Sequence, residues 1–167
     1  MQILEFQQSW RNDFEIIASY INPSLIGTSA RIFHVGSTSI PGAIAKPIID
    51  IDIVVRELAE IKNIQEKLES IGYVHQGDFG IFGREAFQQP PNLITHHLYL
   101  MQENSKPFLD HLDFKAALIM NPSLLEKYNN LKRSLENLLL INREAYTDSK
   151  SEFIRGVLED YRKKQLK

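Results

Sequence analysis

The run Ile48-Ile49-Asp50-Ile51-Asp52-Ile53-Val54-Val55 constrains the fold more than any other stretch of the chain. Its β-branched residues favour extended backbone, and successive side chains of a strand point to opposite sides. Ile49, Ile51, Ile53 and Val55 then form one apolar face that has to lie against a hydrophobic core. Asp50 and Asp52 share the opposite face, about 6–7 Å apart at the backbone. Carboxylates this close repel each other, and a cation, a shared proton or solvent relieves the repulsion. Their oxygens can converge on one divalent ion, and an oxygen-only donor set favours Mg2+ or Mn2+ over zinc.

Upstream, Arg31 to Val35 reads as a shorter strand, and Gly36-Ser37-Thr38-Ser39 follows it directly. A glycine after a strand lets backbone amides approach a ligand, and the neighbouring hydroxyls add donors, a composition suited to phosphate. The turn is not a Walker A loop, because no Lys-Ser/Thr pair follows Gly42 and the next lysine is Lys46. Twelve residues separate Gly36-Ser37 from Asp50-Ile51-Asp52. This spacing matches the nucleotidyltransferase pattern, in which a Gly-Ser turn holds nucleotide phosphates and a strand with alternating carboxylates holds magnesium. Magnesium suits such sharing, since it is commonly bound by one or two carboxylates together with substrate phosphates.

The rest of the chain supplies elements to flank a sheet. Trp10, Phe14, Ile17 and Ile21 recur at helical spacing and stop at Asn22-Pro23. Leu58, Ile61, Ile64, Leu68 and Ile71 mark a second helix with Gly72 at its end. Segments 73–75, 81–88 and 94–101 read as strands separated by glycines and by Gln89-Pro90-Pro91-Asn92. From Lys106 onward the pattern is helical: one helix through Phe108, Leu112 and Ile119, and one started by Asn121-Pro122-Ser123 and carrying a stripe from Leu124 to Leu139. A third is expected after a Ser149–Glu152 capping box, ending in the basic residues Arg162, Lys163, Lys164 and Lys167. The expected architecture is α/β (α+β), a mixed sheet flanked by helices with a helical C-terminal part.

At 167 residues, with 43% hydrophobic and 24% charged residues, the chain is expected to form a single domain over 1–167. A net charge of −2 carries no electrostatic signal for nucleic acid, so a polyanionic ligand has to be bound locally. There is no cysteine, which removes disulfides and thiol chemistry. No run approaches the ~20 apolar residues of a membrane span, and the N-terminus lacks a signal-peptide pattern, so a cytoplasmic location is the default expectation.

Beyond the central motif, the chain resembles the GrpB family of the nucleotidyltransferase superfamily. The resemblance is carried by His34-Val35-Gly36-Ser37-Thr38-Ser39, Ala45-Lys46-Pro47-Ile48-Ile49-Asp50-Ile51, Gly72-Tyr73, Gly83-Arg84 and Thr95-His96-His97-Leu98. It continues through Leu131-Lys132 and Tyr146 with Lys150, Phe153 and Ile154. It implies a nucleotidyltransferase-like fold with ATP or another NTP and Mg2+ (or Mn2+) as ligands, and an acceptor the sequence does not name. Gly36, Ser37, Thr38, Ser39, Lys46 and Arg84 become candidates for nucleotide binding, with Asp50 and Asp52 as metal ligands and catalytic groups. Lys150 is carried by the resemblance alone. Superfamily enzymes usually draw a third carboxylate from a later strand, and Thr95 to Leu100 has none. His97 stands on the face where it would be expected, as metal ligand, base or phosphate donor, or as an ordinary hydrogen-bonded histidine. The family often has histidine where this chain has Tyr99. His96 would face the core with Leu98 and Leu100. Three functions fit: a metal-dependent transfer of a nucleotidyl group, a nucleotide-binding or regulatory module of the same fold without catalysis, and, more weakly, a metal-dependent hydrolase.

Overall fold

The computed structural model describes residues 2–166; Lys167 and the side chain of Leu139, both part of the expectations above, lie outside the described residues. Helix α1 (Ser9–Ile21) ends where Asn22 and Pro23 start a 3-10 turn. Strands β1 (Arg31–Val35) and β2 (Ile49–Val55) follow, then α2 (Ile61–Ser70), β3 (Val74–Gly77), β4 (Arg84–Gln88) and β5 (His96–Gln102). The C-terminal part is helical: α3 (Lys106–Met120), α4 (Pro122–Ser134), α5 (Glu136–Ile141) and α6 (Arg143–Gln165). The sheet runs β1-β2-β5-β4-β3; β2 and β5 are parallel and the remaining pairs antiparallel. This is the expected mixed sheet flanked by helices.

The alternation of β2 sorts the two faces of the sheet. Ile49, Ile51, Ile53 and Val55 are at most 1% exposed and pack with Leu98, Leu100 and Phe87 against Trp10, Ile17 and Ile21 of α1 and Ile64 and Leu68 of α2. Burial of each such aliphatic side chain is worth about 1.5–3 kcal/mol, so this layer anchors the sheet. On the opposite face Val54 and Met101 meet Phe108 of α3, with Phe33, Tyr99 and Leu112 at the margin. A third cluster, Ile40, Ala43, Leu118 and Tyr128, joins the segment after the glycine turn to α3 and α4. There Asn129, 3% exposed, accepts a hydrogen bond from the Ile44 amide (3.0 Å) and donates to the Gly42 carbonyl (2.9 Å).

Several boundaries differ from the sequence-based expectation. The strand predicted over 81–88 starts only at Arg84, because Gly77, Gly80 and Gly83 all have positive φ and hold 78–83 as a loop between β3 and β4. The leucine stripe is not one helix: the backbone bends at Leu135 (φ −94°, ψ 0°), dividing α4 from α5. The last helix does not begin at a Ser149–Glu152 box. It starts at Arg143, capped by the Asn142 side chain accepting from the Ala145 amide (3.0 Å), and the Ser149 hydroxyl bonds back to the Ala145 carbonyl within the helix (2.7 Å). Among the described residues the C-terminal part therefore has four helices where the pattern predicts three. Among the described residues no helix is long and apolar enough to cross a membrane.

Candidate functional site

The glycine turn and the first carboxylate are packed as one piece. Gly36 has φ +68°, and a Cβ built there would lie 2.9 Å from both Cβ and Cγ of Asp50 and overlap its Oδ2. Only glycine satisfies both the left-handed backbone and this approach. The next three residues form a 3-10 turn closed by the Ser39 amide (3.2 Å) and hydroxyl (2.8 Å), both donating to the Gly36 carbonyl. Thr38 is 2% exposed, with its Oγ1 3.0 Å from His34 Nε2. That imidazole stacks on Phe14 (4.8 Å between centroids); burial, with the nearby Lys115 charge, holds its pKa down to about 4, so it is neutral near pH 7.

Strand register places the rest of the site. Across β2, Asp50 faces Val35 on one side and His97 on the other, while Asp52 lies between Phe33 and Tyr99. Asp50 Oδ1 is 2.8 Å from His97 Nδ1, and both side chains are about one-third exposed. Asp52 is fully buried, with Oδ2 2.6 Å from Nδ1 of His111 on α3 and Oδ1 without a hydrogen-bond partner. Burial pushes the Asp52 carboxyl upward, opposed by the His111 hydrogen bond and charge. Burial works against the His111 imidazolium, but the bond and charge of Asp52 outweigh it, so His111 titrates above the ordinary histidine range.

A cavity of about 280 Å³ opens beside Asp50 and His97. Ser37, Thr38 and Lys46 form one wall, and Lys132, Tyr146, Thr147 and Lys150 of α4 and α6 form the other. Lys46 and Lys150 place their ammonium groups 5.5 and 4.3 Å from the centroid of the Tyr146 ring. Lys132 is 2% exposed; it donates to the Ile44 carbonyl and lies 3.4 Å from the Ser37 hydroxyl. Burial, aided by Lys150 and Arg133, lowers its pKa to about 7. A wider groove of about 650 Å³ runs past Leu58, Ile61, Lys62 and Glu66 on the outer side of α2 and contains none of the motif residues.

The structure thus brings Ser37, Thr38, Lys46, Asp50 and His97 to one cavity, with Gly36 packed on Asp50, Asp52 in the same strand and Ser39 closing the turn. Arg84 stands elsewhere: its guanidinium lies over the Tyr99 ring at 4.4 Å, outside the cavity wall. His96 faces the core, with Nε2 2.8 Å from the Tyr73 hydroxyl and Nδ1 2.6 Å from the Ile94 carbonyl. Burial lowers its pKa, which describes a structural histidine. Sequence reasoning missed His111, whose pairing with Asp52 spans 59 residues and leaves no local signal. It also missed a role for Lys132 and Tyr146, which stood only among the residues of the family resemblance.

The donor set fits a hard divalent cation in part. Asp50 and Asp52 each hold one histidine hydrogen bond, and Asp52 Oδ1 is a buried carboxylate oxygen with no partner. Among the described residues no group of three His, Cys, Asp or Glu side chains is arranged to hold an ion. Two carboxylates with substrate phosphates and water is the arrangement magnesium accepts.

Comparison with known proteins follows the same lines. The family model described as GrpB protein matches residues 1–160. UPF0157 protein YqkA of Bacillus subtilis is 31% identical over 164 residues, 96% of this chain and 47% of that protein, so this chain spans about half of that relative's length. Glutamate-rich protein GrpB of Alkalihalophilus pseudofirmus is 29% identical over 95% of this chain and 94% of its own. The crystal structure of GrpB from Enterococcus faecalis superposes with a TM-score of 0.85 at 32% identity, covering 99% of both chains. A structure of Cid1, described by its RNA terminal uridylyl transferase activity, superposes with a TM-score of 0.57 at 12% identity over 80% of this chain and 42% of its own. That likeness is one of fold.

Proposed function

The chain belongs to the GrpB family, and from that premise we propose that it is a metal-dependent nucleotidyltransferase, transferring a nucleotidyl group from ATP or another NTP to an acceptor. The observation that carries this reading is the packing of the Gly36 turn onto Asp50 at the mouth of a cavity walled by Lys46, Lys132 and Lys150. A triphosphate needs donors and positive charge on one side and a metal on the other; this cavity has hydroxyls and lysines in its walls and the Asp50 carboxylate among its lining residues.

In this reading Ser37 and the backbone of the turn bind terminal phosphates, and the three lysines offset their charge. Thr38 supports the turn through His34, and Ser39 holds it closed. Asp50 and Asp52 would hold Mg2+, which would supply Lewis-acid stabilisation of the charge that develops on the α-phosphate. His97 holds the Asp50 carboxylate in place through its Nδ1 and stands at the cavity edge, where it can take a proton from the acceptor hydroxyl. The work of the site is mainly positioning and electrostatics, as phosphoryl-type chemistry requires.

A second reading is a nucleotide-binding module without catalysis. It is favoured by the lack of a carboxylate on β5, where His97 and Tyr99 occupy the site face. Calorimetric titration of ATP with and without magnesium, for the wild type and Asp50→Asn, tests the first. Magnesium should tighten ATP binding in the wild type, and the substitution should remove at least tenfold of that gain. ATP binding indifferent to both changes sinks the magnesium site. Magnesium-dependent binding without pyrophosphate release, across the four NTPs and a broad acceptor panel, leaves the module reading.

A further inference from the structure

We propose that Arg84, stacked on the Tyr99 ring, forms the acceptor side of this site and receives an oxyanion, a phosphate or a carboxylate, borne by the acceptor. This rests on the transferase reading for the word acceptor, but the anion site stands on its own geometry.

Strand order places the two sides of the site. The glycine turn follows β1, on one side of Asp52; Tyr99 of β5 lies on the other, and Arg84 of β4 lies beyond it. Arg84 pairs in register with Met101, on the same face as Asp52 and Tyr99, and its guanidinium folds back over the Tyr99 ring at 4.4 Å. Tyr99 itself lines the cavity beside Asp50 and His97, and Arg84, one strand further on, is not among the lining residues.

The arginine is poorly satisfied where it stands. It is half-buried, yet among the described residues no carboxylate lies within ion-pair distance of it. Among the described residues the guanidinium makes one hydrogen bond, a long one of 3.4 Å to the Asp78 carbonyl, and Nε is buried with no partner. Ser105 Oγ, a second buried atom without a partner, belongs to the residue packed beside Gly83, immediately before Arg84. A guanidinium has five N–H donors in its plane, and stacking on an aromatic ring occupies a face and leaves the edges. Holding such a charge partly out of water with no carboxylate in ion-pair contact is unfavourable, and an oxyanion that takes the fork bidentately removes the cost. The Arg84 charge also acts on Asp52 and His111, which places it within electrostatic reach of the reacting centre.

The test uses three probes built on one skeleton, glycerol 3-phosphate, glycerate and glycerol, titrated calorimetrically into wild type, Arg84→Ala and Arg84→Lys. Each titration is run with and without a non-hydrolysable ATP analogue and magnesium. One or both anions should bind the wild type and glycerol should not, and which anion binds distinguishes phosphate from carboxylate. Arg84→Ala should weaken anion binding at least tenfold. Arg84→Lys, which keeps the charge and the fold but not the fork, should fall between. Affinity for the analogue should change less than twofold in both variants. No anion binding to wild type, anion affinity indifferent to Arg84→Ala, or anion binding displaced by the analogue overturns the proposal. Loss of analogue binding in wild type, with Arg84-dependent anion binding retained, instead removes the transferase reading and leaves the anion site standing.

Discussion

Gly36 is where backbone conformation and site chemistry meet in one residue. Gly36→Ala asks an L-residue to hold φ +68° and drives a methyl into the Asp50 carboxylate. The left-handed backbone alone costs roughly 1–2 kcal/mol, and displacing Asp50 adds to it. We expect a loss of about 2–3 kcal/mol in urea unfolding and loss of magnesium-dependent ATP binding. Full stability with the alanine would mean that the turn does not need this close approach. Lys132 makes a prediction with a pH window. Its folded pKa, about 7, lies below the ordinary lysine value of 10.5. The unfolded chain therefore holds the extra proton between the two values, and the folded protein gains stability as pH rises from about 7 toward 10.5. Below pH 7 the full cost of burying the charged form is present, on the order of 5 kcal/mol at about 1.4 kcal/mol per pKa unit. Lys132→Met should flatten the stability profile between pH 7 and 10 and stabilise the protein most at its acidic end. An unchanged slope would place the titration elsewhere.

The elements were legible where side-chain period decides the structure and opaque where a single backbone group does. Ile49, Ile51 and Ile53 alternate with Asp50 and Asp52, so the faces of β2 follow from the sequence alone, as does the core-facing position of His96. The division of the leucine stripe at Leu135 left no such mark, because helical spacing continues on both sides of the bend. Asn142 outcompetes Ser149 as a cap because its carboxamide meets the free Ala145 amide, while the Ser149 hydroxyl finds a helical carbonyl instead. Asn129 shows the same dependence on distant partners, since the backbone of Gly42 and Ile44 that it clamps lies more than 80 residues away in sequence. Asn129→Ala removes both bonds and strands the buried Ile44 amide and the partly buried Gly42 carbonyl, at an expected cost of about 2–3 kcal/mol. Urea unfolding should show a lower midpoint with an unchanged m-value; a cost within error of zero would mean that water replaces the carboxamide.

At the scale of the molecule, the sheet separates stability from chemistry. One face is covered by α1 and α2 through aliphatic packing, and the other carries Asp50, Asp52, His97, Tyr99 and Arg84 beneath and beside α3. The spacing from Gly36 to Asp52 was readable because a turn and a strand adjacent in sequence become adjacent in space. The groups the C-terminal helices bring in were not, since His111 beside Asp52 and Lys132 and Tyr146 on the far wall arrive on helices whose approach is set by tertiary packing. Those helices give the whole molecule a property of its own. Lys132, held near neutrality beneath the turn, is mostly uncharged at pH 8. A polyphosphate beside Ser37 would favour its charged form and draw a proton from solution, up to about one per nucleotide bound. The heat of ATP binding at pH 8 should then vary with the ionisation enthalpy of the buffer in the wild type and lose most of that variation in Lys132→Met. The turn would thus register its ligand as proton traffic, measurable before any acceptor is known.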